Sequence, residues 1–257
     1  MINFVSGGHT GDLIHELYII KNICNKQNTR ANLYITDSSS KINQCVDFSF
    51  NLNKIYNDTK ELIESQYYIN HYGILPPQYN EHTVNLSHWR NAKPFRNWTD
   101  LLCSYYKIRP SKEYRWLIST SLDSNTNKKV LIHHSGRRIN YNFNWNILSD
   151  IDKDVFFITS EIREYEIFKT RKLTRNIPLY LVSTVSEMAT AISSCDLFIG
   201  NQSMPFTLAC GFDKLRICEL HGPSAEFYIH ENVYSDNISW YLDNNMKYNS
   251  PNIKLKV

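Results

Sequence analysis

Ile2-Asn3-Phe4-Val5-Ser6-Gly7-Gly8-His9-Thr10-Gly11-Asp12-Leu13-Ile14-His15 decides the fold of this chain. Ile2 to Val5 is an apolar run of the length of a short buried strand. Ser6 to Gly11 is a turn whose glycines supply backbone freedom that other residues lack. Beyond it Leu13, Leu17, Ile20 and Ile23/Cys24 recur at three- and four-residue steps, the spacing of an amphipathic helix. Asp12 or Thr10 can cap that helix. Ala31 to Thr36 reads as the next strand. Strand, glycine-rich turn, helix, strand is the opening unit of a doubly wound α/β fold.

The same alternation returns at Val130. Strands are expected at Val130 to His134, Val155 to Thr159, Leu179 to Val182, Asp196 to Gly200 and Leu215 to Glu219. Helices are expected at Trp145 to Ile151, Glu161 to Lys172, Val185 to Ser194 and Met204 to Cys210. These strands are continuous apolar runs, as parallel strands covered on both faces should be. Residues 120–129 are polar and unpatterned and read as a linker. The expected architecture is two Rossmann-like doubly wound domains facing a cleft, residues 1–122 and 128–257, with the first one trimmed. Between them the pattern is weaker. Asp58 to Tyr68 and Trp98 to Ile108 look helical, Thr83 to Leu86 strand-like, and 74–77 and 91–96 irregular. Tyr67, Tyr68, Tyr72, Trp89, Trp98, Tyr105 and Tyr106 crowd this stretch and suit either a small core or a stacking surface.

Composition excludes several classes. With 257 residues and 42% hydrophobic content, a sizeable core can form. No run reaches the length of a membrane span. The N-terminus begins within a strand pattern, so no leader is expected and the protein is placed in the cytoplasm, a host's if it is viral. A net charge of +3 does not announce nucleic-acid binding. Arg90, Lys93, Arg96, Lys107, Arg109, Lys112 and Arg115 nevertheless cluster, and fit either a basic cleft or a solvated face. The 28 Asn and 17 Tyr against 8 Gly suggest AT-rich coding, which suits a phage, a large virus or some bacteria. The six cysteines lack CxxC or zinc spacing and read as buried thiols. His9, His15, His133, His134 and His221 include no i,i+4 pair and no HExxH, so no metal is expected.

Four segments carry candidate chemistry. In the first, Gly8, His9, Thr10 and Gly11 place backbone N–H groups at a helix N-terminus, where they can meet an anion or a sugar hydroxyl. It is neither a Walker A loop nor a GxGxxG turn. Asp12 stands at the strand's carboxyl edge, the usual ligand side of such sheets. It suits a general base or a partner of the helix dipole. In the second, Ser135, Arg137 and Arg138 follow the strand beginning at Val130, and guanidinium forks match phosphate oxygens. In the third, Asn201, Gln202 and Ser203 join a strand to a short helix with proline in its first turn, another anion-binding geometry. In the fourth, Thr159, Ser160 and Glu161 could touch a base or ribose, or cap the next helix.

Gly11-Asp12-Leu13-Ile14-His15 resembles the Gly-Asp-x-x-His turn of the ADP-heptose lipopolysaccharide heptosyltransferases, a metal-independent inverting GT-B family. The resemblance implies that Asp12 is the general base. Gly7-Gly8-His9-Thr10-Gly11 is also similar to the Gly-Gly-His-Thr turn of MurG-type N-acetylglucosaminyltransferases. Ser135 to Arg138 resembles the strand end that holds donor phosphates in the heptosyltransferases, and 187–196 resembles the helix leading to their Asp-x-Gly-x-x-His turn. Asn201-Gln202-Ser203 and Phe206 depart from that turn, so donor identity does not carry over. His221-Gly222-Pro223 resembles the family's Phe-Gly-Pro turn. The implied activity is inverting transfer of a sugar from a nucleotide-diphosphate sugar, as co-substrate and with no bound cofactor, to a hydroxyl of a glycan, a lipid or a modified DNA base. The rival readings are a non-catalytic nucleotide or sugar-phosphate binder and a GT-B-fold nucleotide-sugar epimerase.

Overall fold

The computed structural model describes residues 1–7, 9–37, 51–79, 82–91, 98–109, 115–119, 121–141, 143–171, 173, 175–219 and 240–242. Two parallel sheets organise them. The first takes β1 (Ile2–Ser6), β2 (Ala31–Ile35), β3 (Ile69–Ile74) and β4 (Val84–Asn85) in the order β3-β2-β1-β4. The second takes β5 (Val130–His133), β6 (Val155–Thr159), β7 (Leu179–Leu181), β8 (Leu197–Asn201), β9 (Leu215–Glu219) and β10 (Trp240–Leu242) in the order β10-β9-β8-β5-β6-β7. All recorded strand pairs are parallel. The six-stranded order is that of a doubly wound dinucleotide-type sheet, and the four-stranded sheet repeats its first four positions. In each sheet the winding reverses between the first strand and the fourth, at β1/β4 and at β5/β8. That crevice, outside the carboxyl ends, is where such sheets bind ligands.

Among the described residues six α-helices cover the sheets: α1 (Thr10–Gln27), α2 (Leu52–Glu64), α3 (Trp98–Tyr105), α4 (Ile162–Lys169), α5 (Val185–Ser194) and α6 (Met204–Gly211). One buried cluster runs from Phe4 and Leu33 through Leu17 and Ile63 to Ala189, Ile192, Phe198 and Phe206, and so belongs to both sheets. Alternate strand residues separate the faces of the second sheet. Leu131 and Phe198 join that shared core, while Val130, Ile132, Leu197 and Ile199 pack with Trp145, Phe157 and Phe168 on the far side. Helix α1 packs on α6 and α2 on α5. Residues 115–119 thread alongside: the Trp116 N–H donates to Gly211 O at 3.0 Å and its indole N–H to Ile14 O at 2.8 Å. Residues 121–128 form turns between the two sheets.

The structure revises several boundaries. Helix α2 begins at Leu52 rather than Asp58, because Asn51 caps it by accepting the Lys54 N–H at 3.0 Å. Strand β3 occupies residues for which no element was expected, apart from Ile74, read as the start of an irregular stretch. It is an edge strand with Asn70 and His71 exposed, so its apolar signal is thin. Residues Trp145–Asp150 form a 3₁₀ turn rather than an α-helix. Tyr68, Tyr72, Trp89 and Trp116 are core residues, whereas Tyr67 and Tyr105 are exposed. Burial pushes the thiol of Cys24 up to about 11 and that of Cys195 up to about 12, so neither is a ready nucleophile. Cys45, His221, Lys93, Arg96 and Lys112 lie outside the described residues; Lys107, Arg109 and Arg115 are exposed.

Candidate functional site

The glycine-rich turn lies where the sheet order predicts a ligand. Gly7 follows β1 and is buried, and Gly8 lies outside the described residues. His9, not Thr10 or Asp12, is the N-cap of α1; its backbone is extended (φ −68°, ψ 119°) and its carbonyl accepts the Leu13 N–H at 2.8 Å. Thr10 is therefore the first helical residue and Asp12 the third. Capping by Asp12 is thus not realised. Its half-buried carboxylate sits in the first turn, where the helix dipole favours a negative charge.

The second switch point approaches the first. A Cβ added at Gly11 would lie 3.8 Å from both Cα and Cβ of Met204, the first residue of α6. The N-terminus of α1 and the N-terminus of α6 are therefore close neighbours, separated by about the room of one methyl group. Asn201, Gln202 and Ser203 lead into α6, all buried, with Ser203 as N-cap and proline in the first turn. The carbonyl of Ser203 accepts from the N–H groups of Phe206 and Thr207, so the helix starts abruptly. Phe206, at the position compared with the heptosyltransferase histidine, is fully buried against Phe198 and serves the core.

The arginine loop leaves β5 on the other side of the same switch point. Ser135 is buried, Arg137 exposed and Arg138 half-buried. Arg138 has φ 57°, left-handed backbone that costs an L-residue about 1–2 kcal/mol. The side chain of Asn201 faces this loop: its Oδ1 accepts the Ser135 N–H at 3.1 Å and its Nδ2 donates to Arg137 O at 2.7 Å. Ser135 Oγ also donates to Arg137 O at 3.2 Å.

A buried polar cluster that the sequence did not flag lies beneath the loop. Glu219, fully buried at the end of β9, accepts the Asn140 N–H at 2.8 Å. Its other oxygen is 3.1 Å from Nε2 of buried His134, to which Arg171 donates at 2.8 Å. Next to it, burial lowers the pKa of His133, partly offset by Glu164. His133 Nδ1 donates to Ile158 O at 2.9 Å.

The fourth segment divides. Thr159 is buried and its hydroxyl donates to Glu164 at 2.6 Å. Ser160 and Glu161 are exposed at the carboxyl edge of β6, and Glu161 is the N-cap of α4 without a side-chain cap bond. Among the described residues no three His, Cys, Asp or Glu side chains are placed to share a metal, and no helix is long and apolar enough to cross a membrane. A separate open cavity of about 230 Å³, bordered by Glu61, Asp123, Tyr180 and Glu187, includes none of the nominated residues.

The architecture matches solved glycosyltransferases. The Escherichia coli heptosyltransferase WaaC, solved with ADP-2-deoxy-2-fluoro heptose, aligns with a TM-score of 0.52 at 11% identity, over 94% of this chain and 93% of that one. A family 9 glycosyl transferase from Veillonella parvula aligns with a TM-score of 0.55 at 10% identity, over 94% and 86%. The iron-containing dodecameric TibC of enterotoxigenic E. coli aligns with a TM-score of 0.54 at 12% identity, over 96% of this chain and 63% of that one. No protein-family model and no curated protein matches the sequence. The fold is thus that of the GT-B glycosyltransferases, and among these it resembles the heptosyltransferases. At this identity the likeness fixes the fold and leaves the chemistry to the site.

Proposed function

We propose that the chain is an inverting, metal-independent glycosyltransferase that moves a sugar from a nucleotide-diphosphate sugar to a hydroxyl acceptor. The observation that carries this reading is the approach of Gly11 to Met204, which sets a carboxylate-bearing turn next to the start of helix α6. Residues 1–122 act as the acceptor side and 128–257 as the donor side. His9, Thr10 and Gly11 border the acceptor. The acceptor oxygen attacks the anomeric carbon while Asp12 takes its proton. The bond from that carbon to the diphosphate breaks, and its electron pair leaves with the diphosphate on the opposite face. Arg137, Arg138 and the N–H groups of Gln202 and Ser203 receive the developing charge, helped by the α6 dipole. These fixed cations and dipoles supply the charge stabilisation that a metal supplies elsewhere. Ser160 and Glu161, exposed beside the loop, are placed for the nucleoside.

The likeness to WaaC, crystallised with an ADP-heptose analogue, supports an ADP-sugar as the first donor to try. Incubation with ADP-, UDP- and GDP-sugars, followed by mass spectrometry, tests the reading. Consumption of donor with a heavier acceptor supports transfer. An isomerised sugar released without acceptor identifies an epimerase instead. Binding without turnover identifies a non-catalytic binder.

A further inference from the structure

We propose that Asn201 and Glu219 form a two-point clamp that sets the shape of the arginine loop 135–140, and that they are positioning residues rather than contacts to the donor. The proposal rests on the glycosyltransferase reading for its consequence in donor binding, and on geometry alone for the clamp.

Asn201 is fully buried and its amide is spent within the protein. Oδ1 accepts the Ser135 N–H, and the two Nδ2 hydrogens have the carbonyls of Ser135 at 3.0 Å and Arg137 at 2.7 Å as acceptors. A primary amide has two hydrogens to donate, so none is left for a diphosphate oxygen. Glu219 holds the far end of the loop through the Asn140 N–H at 2.8 Å, and the Arg171 guanidinium lies 3.6 Å from the same carboxylate oxygen. Asn201 and Glu219 are direct partners in the pairing of β8 with β9. Both anchors therefore stand side by side at the carboxyl ends of two hydrogen-bonded strands. The residues between them include Arg138 in its left-handed conformation. Such a conformation persists where the flanking backbone is fixed on both sides. The clamp thus supplies what the arginines need to present preorganised guanidinium groups to a diphosphate.

The test uses the full chain, hydrogen exchange of loop amides and calorimetric titration with ADP, UDP and GDP. Asn201→Asp keeps the side-chain shape and the acceptor but loses both donors. It is expected to speed exchange within 136–140 and weaken the best-bound nucleoside diphosphate, each by about tenfold, with β8 and β9 amides still protected. Arg137→Ala should weaken binding by a similar factor and leave exchange unchanged, which separates a contact from a positioning residue. The other anchor gives an independent arm. Glu219→Ala should release the Asn140 amide, while Glu219→Gln, which still offers an oxygen, should retain it. Unchanged exchange in both Asn201→Asp and Glu219→Ala overturns the clamp. Faster exchange with unchanged nucleotide affinity overturns its role in donor binding. If the parent chain binds none of the three nucleotides, the glycosyltransferase reading fails, and the exchange data alone then decide the clamp.

Discussion

The two sheets use the same backbone device for opposite charges. At β1/β4 and at β5/β8 the winding reverses, and a turn delivers a helix N-terminus to the carboxyl edge. In the first half that helix carries a carboxylate, Asp12, in its opening turn. In the second half α6 opens with no acidic residue, and two arginines stand across the switch point on the loop after β5. A helix N-terminus attracts anions by itself. Asp12 meets that attraction from within the chain, whereas α6 has no acidic residue in its first turn. Under the proposed function, one scaffold thus serves two roles through the sign of a few side chains.

The sharpest way to break this comparison is Asp12→Asn, which removes the charge and keeps the shape. Transfer should fall about 100-fold or more while nucleotide affinity stays within about twofold, measured by steady-state turnover and calorimetry. Unchanged turnover would strip the first turn of its catalytic role. The next effect concerns acid. Burial holds His15 down at about 3 against its ordinary 6.5. Below pH 6.5 the unfolded chain takes up a proton that the folded chain refuses. Stability from this group is therefore complete above that value and is lost as the pH falls toward 3, about 2 kcal/mol of it between pH 6.5 and 5. Urea unfolding at the two pH values measures it, and His15→Phe, which preserves the stack on Trp116, should flatten the slope. His133 adds to the same trend from the second sheet: burial lowers its pKa, with Glu164 acting in the opposite direction.

On the donor side, Arg138→Ala should weaken nucleoside diphosphate binding by about tenfold, with a shallower salt dependence than the parent. An equal loss for a nucleoside without phosphate would show that the loop reads something other than charge. Smallest is the exposed Lys54–Asp58 pair of α2, at 2.8 Å. Asp58→Asn should change stability by only about 0.3 kcal/mol, because exposed i,i+4 pairs are weak. Thermal melts within a degree or two of the parent would place it in that class.

The two halves also differ in how plainly the sequence announces them. Strands β6 and β9 and helix α5 have the residues that apolar runs and three- to four-residue spacing indicate, because both faces of a parallel strand are covered and its apolar run is unbroken. Strand β3 hides because an edge strand tolerates Asn70 and His71 on its exposed positions. The first turns of α2 do carry a signal that the expected start at Asp58 passes over: Leu52, Ile55 and Tyr56 stand at three- and four-residue steps and pack against the core, and Asn51 caps them. At the site, Asp12, Arg137 and Arg138 were legible as charged groups beside turns. Asn201 was legible only as a polar residue in an anion-binding turn. That its amide faces inward depends on a loop 66 residues away in sequence. Glu219 gave no signal, since a carboxylate ending a strand ordinarily reaches water. Its neighbours come from two separate segments, Asn140 and His134 from the stretch after β5 and Arg171 from the end of α4.

The core shared by the two sheets has a consequence for how activity responds to heat. Helices α1 and α6 are packed against one another, so the distance from Asp12 to the arginine loop is a property of the apolar interior and not of a connecting hinge. The spacing of these two segments therefore inherits the cooperativity of the interior. Neither half can be excised without stripping the cover from α1, α2, α5 and α6. A void opened near Leu17 or Phe206 would be felt in the spacing between Asp12 and the arginine loop, because both residues belong to the core that the two sheets share.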